Sequence, residues 1–353
     1  MKHRRPLQLI ALLLALTIVF GQTLAVGETI VPAGNDYGFA GTNGKYYTDF
    51  SSFEEEQLVA KDLAIEVASE GFVMLKNEND ALPLEKGARV SLFGMHSVDL
   101  VTSTVGSAAG TTGANGIEMS TLPMAMENAG FKVNPKLTGL YEMHHALGTA
   151  DNELPLEYYS TATTSTYNGY NDAAIIVFSR TGSEGVDKRA SNVDGHSDPM
   201  DHELMLDDNE KALVKHVKEY YPDTPIIVLI NSSNIFQIPE LAEDKATSEY
   251  GVDAIFWIGN PGNNGIEAIG KLLSGEVNPS GRTVEVWEKD FRNGPTWTNF
   301  GQQYQNLDEN GEAMDAYFYY EGEPTIYANI EYREGIYLGY KYYETACDDM
   351  NAA

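Results

Sequence analysis

Four short apolar runs constrain the fold of this chain more than any other feature: Val90 to Phe93, Ala173 to Phe178, Pro225 to Ile230 and Ala254 to Ile258. Each is rich in β-branched or aromatic residues, and none alternates apolar with polar side chains. Strands with one wet face alternate, whereas parallel strands covered on both faces read as continuous apolar runs. Helical patterns lie between them. Leu122 to Ala129 is one, and Leu206 to Tyr220 is another, with Asp207 and Asp208 near its start where a helix dipole favours anions. Ile266 to Leu273 is a third, ended by Gly275. Upstream, Ser52 and Glu55 have the spacing of a capping box. Beyond them Val59, Leu63 and Val67 recur at helical spacing beside Ala60, Ala64 and Ala68, a helix able to pack closely on a sheet. The alternation predicts an α/β fold: a mostly parallel sheet with helices on both faces, an α/β sandwich.

This domain is expected over residues 55–289, after an extended lead-in at 26–54. Residues 290–353 form an aromatic-rich extension with nine tyrosines between Tyr317 and Tyr343. Within it, Ile330 to Tyr343 reads as a strand broken by Gly335 and Gly339. At the other end, Lys2, Arg4 and Arg5 precede an apolar run from Leu9 to Phe20, with Ala25 before Val26. Residues 1–25 therefore read as a secretory signal. The alternative is an uncleaved anchor over Leu7 to Val26, close to the ~20 residues that span a bilayer. Either way the rest of the chain is expected to be exported.

Charge narrows the partners. With 52 acidic and 23 basic side chains the formal charge is −29, which opposes the phosphate contacts of nucleic-acid binding. Cys347 is the single cysteine, so neither an internal disulfide nor a cysteine zinc site is available.

The loop after the second run, Ser179-Arg180-Thr181-Gly182-Ser183-Glu184-Gly185-Val186-Asp187-Lys188-Arg189, holds the main candidate. Ligands of open α/β sheets bind beyond the carboxyl ends of the strands. Glu184, set among small residues, can present its carboxyl group there. Arg180, Lys188 and Arg189 can pair Asp187 and steady the loop. General acid catalysis would require Glu184 to be protonated and partly desolvated in the complex. By spacing alone, a solvated charged loop accounts for the same residues.

Other motifs carry less. Gly106-Ser107-Ala108-Ala109-Gly110-Thr111-Thr112-Gly113 can approach a ligand through its backbone, yet it is neither a dinucleotide fingerprint nor a P-loop. Asn306 to Gly311 starts like a calcium loop, but Tyr317 stands where the closing Glu belongs. His196, Asp198, Asp201, His202 and Glu203 read as a hydrophilic loop rather than a metal cluster. There is no Gly-x-Ser-x-Gly elbow. No metal or cofactor is expected.

Taken together, four stretches resemble the α/β-sandwich domain of glycoside hydrolase family 3, the family of many β-glucosidases. They are Glu70-Gly71-Phe72-Val73-Met74-Leu75-Lys76-Asn77 with Leu82-Pro83-Leu84; Ser183 to Asp187; Asn278-Pro279-Ser280-Gly281-Arg282; and Tyr332 to Tyr343. They occur in the family's order. The resemblance implies that Glu184 is the general acid/base, that Gly106, Ser107 and Gly110 lie in a substrate-contacting loop, and that Asp187, Arg180 and Arg189 support the catalytic loop. Ser107-Ala108-Ala109 departs from the family's glycine pattern there, Ser183 stands where Gly is common, and Lys188 stands where Arg usually follows the Asp.

A retaining glycosidase needs a second carboxylate, about 5–5.5 Å from the first, as nucleophile. In this family it resides in a (β/α)₈ barrel of roughly 250 residues or more. The leader directly before the α/β domain resembles the reversed domain order, in which the barrel follows. The expectation is thus part of a β-glucosidase-like enzyme acting on a β-linked glucoside or oligosaccharide. Its nucleophile would come from a downstream or separately encoded barrel, through truncation or a split gene. A non-catalytic carbohydrate-binding or partner-binding domain is the alternative.

Overall fold

The computed structural model describes residues 49–102, 120–150, 152–182, 188–189, 191–297 and 332–352. It adds the backbone of four short strands at 37–38, 46–47, 318–320 and 323–325. The leader lies outside the described residues, and so does the 306–311 segment. Two compact units emerge, one of Met1–Leu63 with Thr111–Met119, the other of Ala64–Gly110 with Ser120–Ala353. In the first, Tyr37–Gly38 pairs in parallel with Tyr46–Tyr47. There the Ser52 hydroxyl accepts the Glu55 N–H at 3.1 Å, half of the expected capping box. The Glu55 carboxylate accepts the Ser51 N–H instead of that of Ser52.

The second unit holds a six-stranded sheet. Its strands are β1 (Val73–Asn77), β2 (Arg89–Phe93), β3 (Lys132–Val133), β4 (Ala173–Arg180), β5 (Ile226–Ser232) and β6 (Ala254–Trp257). The spatial order is β1-β6-β5-β4-β2-β3. All pairs are parallel except β1 with β6. Every residue of β4 and β5 is buried, which is why neither run alternates. Ile175, Val177, Ile227 and Leu229 serve one core, and Ile176, Phe178, Val228 and Ile230 the other.

Helices α2 (Leu122–Asn128) and α5 (Glu267–Leu273) cover the first face, and α3 (Pro135–Leu147) and α4 (Asp208–Tyr220) the second. The α/β sandwich read from the sequence is therefore the fold. Helix α1 (Phe53–Gly71) also forms, but the expected Val59-Leu63-Val67 stripe is 47%, 57% and 63% exposed. The side that packs carries Ile65 and Ala68, where a Cβ added at Gly265 would press on Ala68 at 2.8 Å. Small side chains, not the larger stripe, allow this close approach. The strand expected over Ile330 to Tyr343 is absent from its described part: residues 333–336 turn and α6 (Tyr340–Ala352) begins. The two glycines there take positive φ, 58° at Gly335 and 54° at Gly339, which suits turns rather than strands.

Candidate active site

The connectivity itself marks a crevice. From β2 the chain moves outward to β3, then returns to the opposite side of β2 to form β4. Strand order thus reverses between β2 and β4, and ligands of open α/β sheets bind beyond the carboxyl ends of strands at such a switch point. The chain leaves β2 through Gly94, whose φ is 101° and where a Cβ would overlap the Val177 carbonyl of β4. Only glycine fits this passage. It leads to Val101 and Thr102, beyond which Gly106, Ser107 and Gly110 lie outside the described residues. Glu184 and Asp187, in the segment after β4, also lie outside them.

Both shoulders of that second segment are described. On the entry side Arg180 is buried, and all five of its N–H groups are used. Nε donates to the Glu203 carbonyl at 2.8 Å. Nη1 donates to the Ser179 carbonyl at 2.8 Å and to Glu210 Oε1 at 2.7 Å. Nη2 donates to the Met205 carbonyl and to Glu210 Oε2, both at 2.7 Å. On the exit side Lys188 donates to Glu203 Oε1 at 2.7 Å and the Arg189 N–H to Glu203 Oε2 at 2.9 Å. The Arg189 carbonyl in turn accepts the Glu203 N–H at 2.9 Å, while the Arg189 guanidinium faces Asp194 at 3.5 Å. Glu203 therefore receives both ends of the segment that carries Glu184. Burial opposes ionisation of Glu203, yet its bonds from Lys188 and Arg189 and their charges hold it below the ordinary carboxylate range.

Glu210 is itself fixed by a full capping box at the start of α4. The Asp207 carboxylate accepts the Glu210 N–H, and the Glu210 carboxylate accepts the Asp207 N–H. The reading of Asp207 and Asp208 as dipole partners missed this box, although Asp207 and Glu210 three residues on is its signature. Burial first, then the Glu210 charge, push Asp207 up to about 6.

A cavity of about 960 Å³ lies beside the exit shoulder, with Lys188, Arg189, Asn234, Glu288 and Trp297 in its wall. His202 lines it too, stacked on Phe291 with ring centroids 5.1 Å apart. Its Nε2 meets Gln237 Oε1 at 3.1 Å, and its Nδ1 accepts the Leu204 N–H at 3.3 Å. The carbonyl oxygen of the Gln237 amide also accepts the Phe291 N–H at 2.7 Å. Glu288 accepts the Tyr343 hydroxyl at 2.6 Å. The sequence places His202 in a hydrophilic loop, whereas it is buried against Gln237, and it gives no sign of Gln237 or Glu288 as site neighbours, because these partners are 35 to 55 residues apart in the chain.

Among the described residues no three His, Cys, Asp or Glu side chains are grouped to hold a metal ion. His196 instead faces Asp201 at 3.4 Å, and Asp198 accepts the Met200 N–H at 2.8 Å. Likewise, no helix among the described residues is long and apolar enough to cross a membrane.

Comparison with known proteins agrees with this architecture. The chain is 27% identical over 301 residues to Beta-glucosidase A of Butyrivibrio fibrisolvens, covering 79% of this chain and 35% of that protein. It is 25% identical over 287 residues to Thermostable beta-glucosidase B of Acetivibrio thermocellus, covering 80% and 30%. It thus spans about a third of the length of these relatives. In fold it is similar to beta-glucosidase 3B of Thermotoga neapolitana, with a TM-score of 0.62 and 23% identity over 82% of this chain and 37% of that one. The model of the glycosyl hydrolase family 3 C-terminal domain matches residues 72–340. With most of its length so matched, the chain belongs to glycosyl hydrolase family 3 through that C-terminal domain.

Proposed function

We propose that this chain supplies the general acid/base of a retaining β-glycosidase, with Glu184 as the proton donor. Glu184 would protonate the departing glycosidic oxygen, then draw a proton from the water that hydrolyses the glycosyl-enzyme intermediate. The nucleophilic carboxylate would come from a (β/α)₈ barrel domain, and the substrate would be a β-linked glucoside or oligosaccharide. Gly106, Ser107 and Gly110 would contact the sugar, and Asp187, Arg180 and Arg189 would steady the acid. In this reading residues 1–25 direct export, 26–54 lead in, 55–289 form the α/β domain and 290–353 begin the linker toward the barrel.

The observation that carries the reading is the pinning of both shoulders of the Glu184 segment on Glu203 and Glu210, next to the β2/β4 switch point. A proton donor gains from such anchoring, since its geometry must hold as the bond breaks. The chain alone is expected to leave aryl β-glucosides essentially uncleaved, because neither carboxylate completes a double displacement without the other. The test combines it with a family barrel polypeptide and compares native chain with Glu184→Gln. Hydrolysis of alkyl glucosides should fall by roughly two to four orders of magnitude. Glucosides with leaving groups that need no protonation should lose far less in the step that forms the glycosyl-enzyme. Unchanged alkyl-glucoside hydrolysis would remove Glu184 from the mechanism.

A further inference from the structure

At the carboxyl end of β5, inside the sheet crest, stands a fully buried amide, Asn231. A carboxamide has two N–H donors and an oxygen able to accept twice, and here all four capacities are used. Oδ1 accepts the Val101 N–H at 2.7 Å and the Ser179 hydroxyl at 2.8 Å. Nδ2 donates to the Val101 carbonyl at 2.9 Å and to the Gly259 carbonyl at 2.7 Å. Val101 lies on the chain beyond β2, Ser179 is one residue before Arg180 on β4, and Gly259 comes just after β6. One side chain on β5 therefore touches the roots of the segments leaving three other strands. The Gly262 N–H adds a direct tie to the Thr102 carbonyl at 2.8 Å.

Backbone ladder bonds run out where parallel strands end, and buried N–H and C=O groups must find other partners. Val101 shows the need: both its N–H and its carbonyl are met by the Asn231 amide. An apolar residue at 231 would leave these groups, the Gly259 carbonyl and the Ser179 hydroxyl to be satisfied elsewhere, at the desolvation cost of each orphaned group. The β5 residues from Ile226 to Ile230 are aliphatic and serve the two cores, whereas Asn231 at the crest carries an amide with a fourfold set of partners.

We infer that Asn231 is a positioning residue, whose amide sets the relative placement of the roots of the segments leaving β2, β4 and β6. The functional consequence rests on the reading of Glu184 given above: the acid leaves from the β4 root, and the expected sugar-contacting loop leaves from the β2 root. The amide holds those two roots in one register. It acts through Val101 and Ser179 and need not touch a substrate.

The test is hydrogen exchange on the full chain, read by mass spectrometry, for native protein and Asn231→Asp. The substitution is isosteric, so packing is kept while one donor is lost if the buried acid is protonated and both are lost if it is ionised. Amides at 99–102, 179–182 and at 259, 260 and 262 should exchange roughly tenfold faster or more, with mid-strand amides at 174–177 and 227–229 unchanged. If the buried carboxylate prevents folding, Asn231→Ala is measured in its place, since its space is polar enough for water. Uniform acceleration that includes the mid-strand amides would reduce Asn231 to a general structural role and overturn the inference. So would acceleration at one root alone, or none. The measurement reads the backbone and not turnover, so a failed Glu184→Gln test would leave its result standing.

Discussion

The Arg180 guanidinium faces the Glu210 carboxylate through two parallel bonds of 2.7 Å, with 2% and 1% of the two side chains exposed. This pair joins the carboxyl end of β4 to the first turn of α4, so the strand that precedes Glu184 and the helix that returns from it share one ion pair. Breaking a buried pair leaves its partner charged and dry, at about 3–5 kcal/mol. Glu210→Gln should lower stability by that order in urea denaturation. Arg180→Lys should also be poorly tolerated, because an ammonium cannot replace five directed N–H groups. A Glu210→Gln protein as stable as the native one would show that the pair contributes little.

Glu203 offers a milder test of the same clamp. Its carboxylate takes Lys188 Nζ and the Arg189 N–H, and both basic residues are trypsin sites. Glu203→Ala should release the exit shoulder while leaving the two cores intact, at about 1 kcal/mol of global stability for a pair at the rim whose side chains are 16% and 23% exposed. Cleavage after Lys188 and Arg189 should then rise several-fold at limiting trypsin, with the thermal midpoint lowered by only a few degrees. Equal cleavage rates in the two proteins would mean that Glu203 does not restrain this shoulder.

Stability should also depend on Glu153. This carboxyl is buried, with Oε1 accepting the Leu154 N–H and the Tyr159 hydroxyl, while Oε2 has no hydrogen-bond partner among the described residues. Burial, opposed by those two bonds and reinforced by the Glu210 and Asp207 charges, pushes it from 4.5 to about 8. The fold thus favours the protonated acid. Its contribution is complete below the unfolded value of 4.5 and is lost as pH rises through about 8. Asp207, raised from 3.8 to about 6, acts in the same direction over a lower window. Each unit corresponds to about 1.4 kcal/mol, so the Glu153 window spans several kcal/mol. Denaturation of Glu153→Gln should show a much flatter decline from about pH 5 to about pH 8, with Asp207 accounting for slope left below 6. An unaltered slope would place the ionisation elsewhere.

The passage at Gly94 leaves no room for a side chain. With φ at 101° and the Val177 carbonyl where a Cβ would sit, Gly94→Ala should cost roughly 3 kcal/mol or more from combined backbone strain and overpacking. A loss under about 1 kcal/mol in urea denaturation would mean that β2 and β4 can separate locally.

These relationships show which parts of the molecule were legible in the sequence. The runs at 90, 173, 225 and 254 announced β2, β4, β5 and β6 because strands buried on both faces must be apolar throughout. Helix α3 was equally marked and passed over: Asn134 caps it, Pro135 opens it, Gly148 ends it at φ 60°, and Leu137, Tyr141 and His144 give its buried side. The apolar signal there is diluted by Lys136, Thr138, His144 and His145. Strand β3 has only two residues, too few for any periodicity. The residues around the candidate site were the least legible. Asn231 ends an aliphatic run and reads as its polar stop, and nothing local tells that its partners are 130, 52 and 28 residues away. Polar networks are set by tertiary placement, which residue patterns along one strand do not encode.

The protonation state of His202 turns on the identity of one neighbouring atom. Because Nδ1 accepts the Leu204 N–H and Nε2 faces a carbonyl oxygen, the ring is held neutral with its proton on Nε2. Burial pushes its pKa below 6.5, aided by Arg292 and opposed by the Gln237 bond and the Asp201 and Asp290 charges. A histidine depressed in this way supports the fold above the unfolded value and withdraws that support as pH falls through the lower, folded one. Gln237→Glu keeps the shape but sets a carboxylate against Nε2, which favours the imidazolium. The variant ring should titrate above 6.5 by NMR, and its stabilising contribution should then lie at acid pH and fade as pH rises through the new value. The native ring should titrate below 6.5. If the variant ring still titrated below 6.5, the amide of Gln237 would not be the group that sets its protonation, and the Phe291 stack would have to hold His202 in place without it.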